Sequence, residues 1–502
     1  MNILFEIISF FYFLKLSKSS LIIPLKFLNI NEKDKDIESN YLSKIYSNNL
    51  YIDLIIGSNK EEIKGIINMT QIGFFIYDKA YNYNNSFSFI KENKTRSFYK
   101  RNDEEGFLSN DLMCFYNIDN FKNNKIEKCK NAQNISFALL KSKQKFMDEN
   151  INEKYAIIGL QLNDYFDEHI FPLFIHSLKE KNVIESYLFS FIFNPNKINN
   201  EIGYLLLGNE TQNNENFEIK TFSAKRKYGH PFWGIYFDQI VVGLYNSYNT
   251  SKENNYKNLY YKDVELVASL PYIVGIYEYN IHMKFLFFYD LLSKNICNYT
   301  SVPLNPDYST FVCDSKNELF IEAYNTKFPK LFFVHIESNT TFILDKEDLF
   351  TYNMNNESDS KVYFLVFFYN HQKKYDEITK FKLGIPFFKK YKFSFDSDAR
   401  VIHYYENITN KKKLENNLKN KEKNKNIVKI IIIIFLLIIF FILGILFHKN
   451  IIKFPRKKLA NELEDDYEYR SKPIISNNNY DINKEDTNKN KQNIEFKIKN
   501  II

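Results

Sequence analysis

The sequence predicts a mainly β protein carried on one membrane-spanning helix near its C-terminal end. Three observations predict it. Most of the chain is built of short β-branched and aromatic runs punctuated by glycine, asparagine and aspartate, the pattern of strands and turns. One stretch, Ile430–Phe447, is apolar and free of charge. The first residues form a second, shorter apolar run.

The 502 residues suit one large or two medium domains, and 45% hydrophobic content supplies a core. The 49 Phe and 37 Tyr against one Trp, with abundant Ile, Asn and Lys, reflect a drift toward A/T-rich codons and carry no functional meaning. A net charge of +7 from 67 basic and 60 acidic residues is mild, and much of the lysine flanks the apolar stretch or lies in the tail. Nucleic acid is therefore not an expected partner. Four cysteines, an even number, suit an oxidising compartment. Without a Cys-x-x-Cys pair, and with eight scattered histidines, no metal and no cofactor is expected.

Within Met1–Ser20, the run Ile3–Leu14 is broken only by Glu6 and Ser9 and precedes the small residues Ser17, Ser19 and Ser20. It resembles a secretory signal that lacks a basic n-region. Ile22–Leu28 then reads as a strand in a short leader. Sequons begin at Asn68, Asn84, Asn93, Asn134, Asn209, Asn249, Asn298, Asn339, Asn356 and Asn407, although an Asn-rich chain generates such triplets by chance.

At about 1.5 Å per residue, Ile430–Phe447 nearly crosses a hydrocarbon core of about 30 Å. Ile427 and Val428 lengthen the span to 427–447 if Lys429 snorkels. Lysines on both sides leave the positive-inside rule undecided. The leader orients the chain instead, with Ser20–Asn426 luminal or extracellular and His448–Ile502 cytosolic. The expected location is a single-pass membrane protein of the secretory system or cell surface. Residues 407–426 form a charged stalk, and the Asn/Lys/Asp/Glu-rich 448–502 has the composition of a disordered tail.

In the ectodomain, Tyr51-Ile52-Asp53-Leu54-Ile55-Ile56-Gly57, the polar Ser58–Glu62 and then Ile66-Ile67-Asn68-Met69-Thr70-Gln71-Ile72-Gly73-Phe74-Phe75-Ile76 read as strand, turn, strand. One helix is expected in this β-rich context, over 171–181, where Phe171, Phe174, Ile175 and Leu178 recur at helical spacing.

Further landmarks follow in order. Tyr99 lies seven residues before Gly106 and twelve before Asp111. Then come Ala156-Ile157-Ile158-Gly159-Leu160, Gly203-Tyr204-Leu205-Leu206-Leu207-Gly208, and Phe232-Trp233-Gly234-Ile235-Tyr236-Phe237-Asp238-Gln239-Ile240. Last is Leu383-Gly384-Ile385-Pro386-Phe387-Phe388-Lys389-Lys390-Tyr391 with Phe395-Asp396. This series resembles the pepsin-like aspartic proteases over about Tyr51–Tyr405. The resemblance implies a bilobal fold with an N-terminal lobe at 46–225, after a leader segment at 21–45, and a C-terminal lobe at 226–406. It implies a flap tyrosine at Tyr99, although Lys100-Arg101-Asn102 replace the glycines that usually follow. It also implies a disulfide between Cys297 and Cys313, with Cys114 and Cys129 closing a similar loop in the first lobe.

In that family each lobe supplies one catalytic aspartate, followed by a threonine that braces the two loops and a glycine. Here Asn68 stands at the first aspartate position, followed by Met69 and Thr70. The second loop, Val267-Ala268-Ser269-Leu270-Pro271-Tyr272-Ile273-Val274-Gly275, places Val267 there, or Ala268 if the register slips by one. Two close carboxylates share a proton, one activating water and the other protonating the substrate carbonyl. An amide does not exchange a proton in that range, and valine offers no polar group. Acid and brace are thus both missing. Asp53, Asp263 and Glu265 are the acids near enough in sequence to stand in. The resemblance implies a membrane-anchored homologue without catalytic residues that binds a peptide or protein in its inter-lobe cleft. An active aspartic endopeptidase with atypical residues, or a structural surface glycoprotein, are the alternatives.

Overall fold

A set of six strands, used twice, organises the described part of the chain. The computed structural model describes residues 20–29, 41–93, 95–98, 104–118, 126–129, 132–141, 155–162, 172–198, 201–208, 217–227, 230–243, 257–259, 262–352, 360–370, 380–408 and 442–443. It is mainly β.

The first set comprises β1 (Asn48–Ile56), β2 (Glu61–Asn68), β3 (Phe74–Tyr77), β4 (Glu104–Ile118), β5 (Gln133–Leu140) and β6 (Ala156–Gly159). The second comprises β7 (Gly234–Tyr236), β8 (Asp263–Leu266), β9 (Ile273–Gly275), β10 (Asn305–Asp314), β11 (Val366–Tyr369) and β12 (Phe381–Leu383). The first set is ordered β1-β2-β6-β3-β5-β4 and the second β7-β8-β12-β9-β11-β10, the same order one repeat later. Directions agree as well. Across each set the pairings run antiparallel, parallel, antiparallel, parallel, antiparallel.

Central strands are apolar at every position because neighbours cover both faces. All four residues of β6 and all four of β3 are buried. The long β4 also pairs back to β1 through Leu54 and Phe115, which closes the first set on itself.

The two sets are joined by an antiparallel sheet in which Leu188–Ile198 and Phe393–Asp396 lie side by side, Phe189 opposite Phe395. Those rings stack at 5.0 Å, and Trp233 meets them edge-on at 5.5 and 5.1 Å. The Trp233 indole N–H donates to the Leu160 carbonyl at 2.6 Å, so this fully buried tryptophan ties the start of the second set to the end of the first. The predicted strand Ile22–Leu28 is present as Leu21–Asn29. It is built into this sheet between Glu201–Leu207 and β1, with Ile23 and Leu25 buried.

The expectation of one helix is corrected. Among the described residues the helices are α1 (Tyr41–Ser47), α2 (Phe174–Glu180), α3 (Tyr277–Met283), α4 (Tyr289–Ser293), α5 (Glu318–Thr326), α6 (Lys346–Leu349) and α7 (Ile385–Lys390), with a π turn at Lys284–Phe288 joining α3 to α4. The predicted helix is α2, which begins at Phe174; Phe171 lies outside the described residues. The α3–α4 stretch reads as strand because it is rich in Tyr, Phe and Ile. Its buried residues Tyr279, Met283, Phe287 and Leu291 nonetheless recur every fourth position, the helical signal that identifies it.

Both disulfides are formed, Cys114–Cys129 and Cys297–Cys313, and Cys297 lies directly across the ladder from Cys313. No helix among the described residues is long and apolar enough to cross a membrane. The predicted span 427–447 lies outside them apart from Ile442 and Leu443, as do the leader up to Ser19, the stalk from 409 and the tail 448–502.

Cross-linking across a sequence separation of 16 restricts the unfolded chain. Replacing the pair together, Cys297→Ser with Cys313→Ser, is expected to lower stability by about 3 kcal/mol. The check is the fall in the thermal unfolding midpoint against the parent chain.

Candidate functional site

The repeat fixes which loop residues correspond. In the first set Asn68 is opposite Gly159 and Phe75 opposite Ile157. In the second, Leu266 is opposite Leu383 and Val274 opposite Lys382, which places Val267 beside Gly384. The β2–β3 and β8–β9 connections therefore match residue for residue: Asn68 with Val267, Met69 with Ala268, Thr70 with Ser269, Gln71 with Leu270. Glycine packing gives the same register independently. A Cβ on Gly159 would sit 2.5 Å from the carbonyl oxygens of Gln71 and Gly73, and one on Gly384 would sit 2.4 and 2.0 Å from those of Leu270 and Tyr272. Within the repeat, Val267 rather than Ala268 is the residue that corresponds to Asn68.

Asn68 is half-buried and closes its own loop. Its Oδ1 accepts from the Thr70 N–H and from the Thr70 hydroxyl, both at 2.9 Å, while Nδ2 donates to Gln71 Oε1 at 3.3 Å. Val267 has no such chemistry and is 1% exposed. Leu270 N–H closes the second loop on the Val267 carbonyl at 2.9 Å.

The loops touch. The Ala268 N–H donates to the Met69 thioether sulfur at 3.1 Å, and both residues are buried. The expectation that no brace joins the loops is therefore corrected. The long, flexible methionine carries an acceptor to the facing backbone. One bridge is made rather than a reciprocal pair, because alanine has nothing to return.

None of the three stand-in acids lies on a loop. Asp53 is on β1 opposite Lys64, and its carboxylate meets Lys26 Nζ at 2.7 Å. Glu265 is on β8 and meets Lys382 at 3.7 Å. Asp263 starts β8 opposite Tyr236.

Sequence reasoning missed one buried carboxylate. Asp111, fully buried on β4, accepts from the Tyr81 hydroxyl, from Ser88 Oγ at 2.5 Å, Ser86 Oγ at 3.2 Å and the Leu112 N–H at 2.7 Å. Burial and this carboxylate push the Tyr81 phenol upward, so it stays protonated as a donor. The cluster pins the β3–β4 connection to β4, and no spacing in the sequence marks it.

Beside the second loop a cavity of about 380 Å³ is lined by Pro271, Leu365, Ile385 and Pro386, with Lys390 and Asp348 paired at 2.6 Å on its rim. Glu347, Thr351 and Lys389 also line it, so its wall is as polar as it is apolar.

Tyr99 lies outside the described residues, as do Asn209, Asn249 and Asn356. Strands Arg96–Phe98 and β4 on either side of Tyr99 pair with each other. Asn84, Asn93, Asn298 and Asn339 are exposed, whereas Asn134 and Asn407 are partly buried. Among the described residues no cluster of His, Cys, Asp and Glu could hold a metal ion.

No protein-family model matches this chain, and no curated protein matches it.

Two substitutions separate the packing of Met69 from its sulfur. Met69→Leu keeps the volume but leaves the buried Ala268 N–H without an acceptor, at an expected loss of about 1–3 kcal/mol. Met69→Ala adds a cavity and is expected to lose about 2–5 kcal/mol. Urea unfolding of both variants beside the parent reads the difference.

Proposed function

We propose that this chain is a membrane-anchored, bilobal pepsin-like protein that has no catalytic dyad and works by binding a peptide or protein in the cleft between its lobes. The observation that carries the reading is the junction of the two equivalent loops at Met69 and Ala268, with an amide at Asn68 and a hydrocarbon at Val267. The doubled strand order supports the bilobal part. The landmarks listing from the Tyr51 strand to Phe395-Asp396 support the family part.

Hydrolysis by paired acids needs one group to take a proton from water and another to give one to the carbonyl. Asn68 Oδ1 is already engaged by two donors, so it holds its loop together and accepts no proton. Val267 faces a water-excluded junction. Of the nearby acids, Asp53 and Glu265 are held by lysines on strands. What remains is a neutral floor with the cavity at Pro271 and Pro386 beside it, a surface fit to hold an extended chain without cutting it. The apolar segment 427–447 supplies the anchor, and the leader places the domain on the luminal or outer side.

The test is fragment release from a denatured protein by the full-length chain at pH values from about 3 to 7, where a carboxylate dyad would titrate. No cleavage is expected, with or without a transition-state-type peptide inhibitor, and inhibitor-sensitive cleavage overturns the reading. Asn68→Asp is expected to remain inactive, because one carboxylate lacks the partner that performs the second proton transfer.

Binding gives a further readout. With no group on either loop that titrates between about pH 3 and 7, since burial pushes the Tyr272 phenol upward, peptide capture by a photo-crosslinker placed at the exposed Thr70 is expected to stay level over that pH range. Absence of capture from a random peptide pool at every pH would favour a display scaffold over a binding cleft.

A further inference from the structure

The continuous helical stretch from α3 through the π turn to α4 turns four large side chains outward. Tyr277, Ile281, Phe285 and Tyr289 are 41%, 46%, 75% and 67% exposed. None of the three rings meets another aromatic ring among the described residues. The opposite side, with Tyr279, Met283, Phe287 and Leu291, is buried in the core, so the stretch is firmly seated.

Four residues at four-residue spacing drift about 40° per step around an α-helix of 3.6 residues per turn. They would wrap away from a common line. The wider π turn at Lys284–Phe288 offsets that drift and keeps the outward residues in a row. Charge beside the row is balanced, with Glu278 and Asp290 against Lys284 and Lys294.

We propose that this row is a lipid-contact ridge, whose side chains insert among the headgroups and upper acyl chains of the bilayer that holds the chain's own apolar segment. The proposal rests on the anchored reading above. Tyrosine and phenylalanine with an aliphatic neighbour is the composition favoured at a membrane–water interface. The balanced charge suits a zwitterionic surface rather than an anionic one. Chain length makes the bilayer the occupant always at hand: residues 409–426 span at most about 65 Å when extended. Tethering of this kind raises the effective concentration of the ridge at the surface, so modest intrinsic affinity suffices.

The experiment uses the full-length chain reconstituted in phosphatidylcholine vesicles. A bimane label is attached through Phe285→Cys, with a control label through Phe87→Cys, at a residue 91% exposed in the β3–β4 connection. Shallow spin-labelled phosphatidylcholine should remove most of the emission from position 285 and leave position 87 bright. The loss should persist at high salt, because screening acts on charge and not on apolar insertion. Adding Ile281→Ser and Tyr289→Ser should restore emission. Equal emission at the two positions, in a chain that floats with the vesicles, overturns the ridge while leaving the anchor intact. A chain that does not float overturns the anchor itself and the ridge with it. Shielding of position 285 in detergent without lipid, growing with protein concentration, assigns the row to another copy of the chain and overturns the lipid reading.

Discussion

The close passage of Gly159 and Gly384 against the carbonyls of the neighbouring loops is the constraint on which the described fold depends. Gly159 ends β6 and Gly384 directly follows β12, and at each a side chain would collide with two loop carbonyl oxygens. Because the backbone passes that close, each loop crosses the end of the strand beside it and both leave their sheets at corresponding positions. The contact between Met69 and Ala268 follows from this double crossing.

That junction is neutral and largely dry. A pair of like charges there would have to share a proton or separate. A thioether, an amide, a methyl and an isopropyl group impose no such condition, so the two loops meet without electrostatic strain and without a role for pH. The half-buried Asn68 shows how the loop keeps its shape, since its carbonyl oxygen organises Thr70 as a carboxylate oxygen would.

The many phenylalanines, a product of composition rather than selection for a site, have a structural consequence. The core of the second strand set is a web of ring contacts, among them Phe288 on Phe311 at 3.7 Å and Phe350 on Phe364 at 5.0 Å. Rings of this size bury much apolar area, and their stacked and tilted pairings hold each in a defined orientation. The same composition leaves rings at the surface, and on α3–α4 the π turn gathers them into one row.

The short β-branched runs, the Tyr51–Gly57 and Ile66–Ile76 hairpin, the strand at Ile22–Leu28 and the pairing of the cysteines were legible in the sequence. Strand periodicity and turn residues are local signals, whereas the cysteine pairing was implied by the resemblance to the pepsin-like proteases. That Asn68 and Val267 carry no acid was legible as well, because it needs only the identity of the residues. The α3–α4 helix was not, since aromatic and β-branched residues favour strands when read locally and the buried row of Tyr279, Met283, Phe287 and Leu291 decides otherwise. The Asp111 cluster joins residues from two segments with no shared periodicity. By itself, then, the sequence determined the mainly β character and the absence of an acid at Asn68 and Val267. Only the tertiary structure decided the register of the second loop and the bridge from Met69 to Ala268. Both depend on strands far apart in sequence lying side by side, and on a flexible thioether reaching a backbone N–H that no local pattern can place.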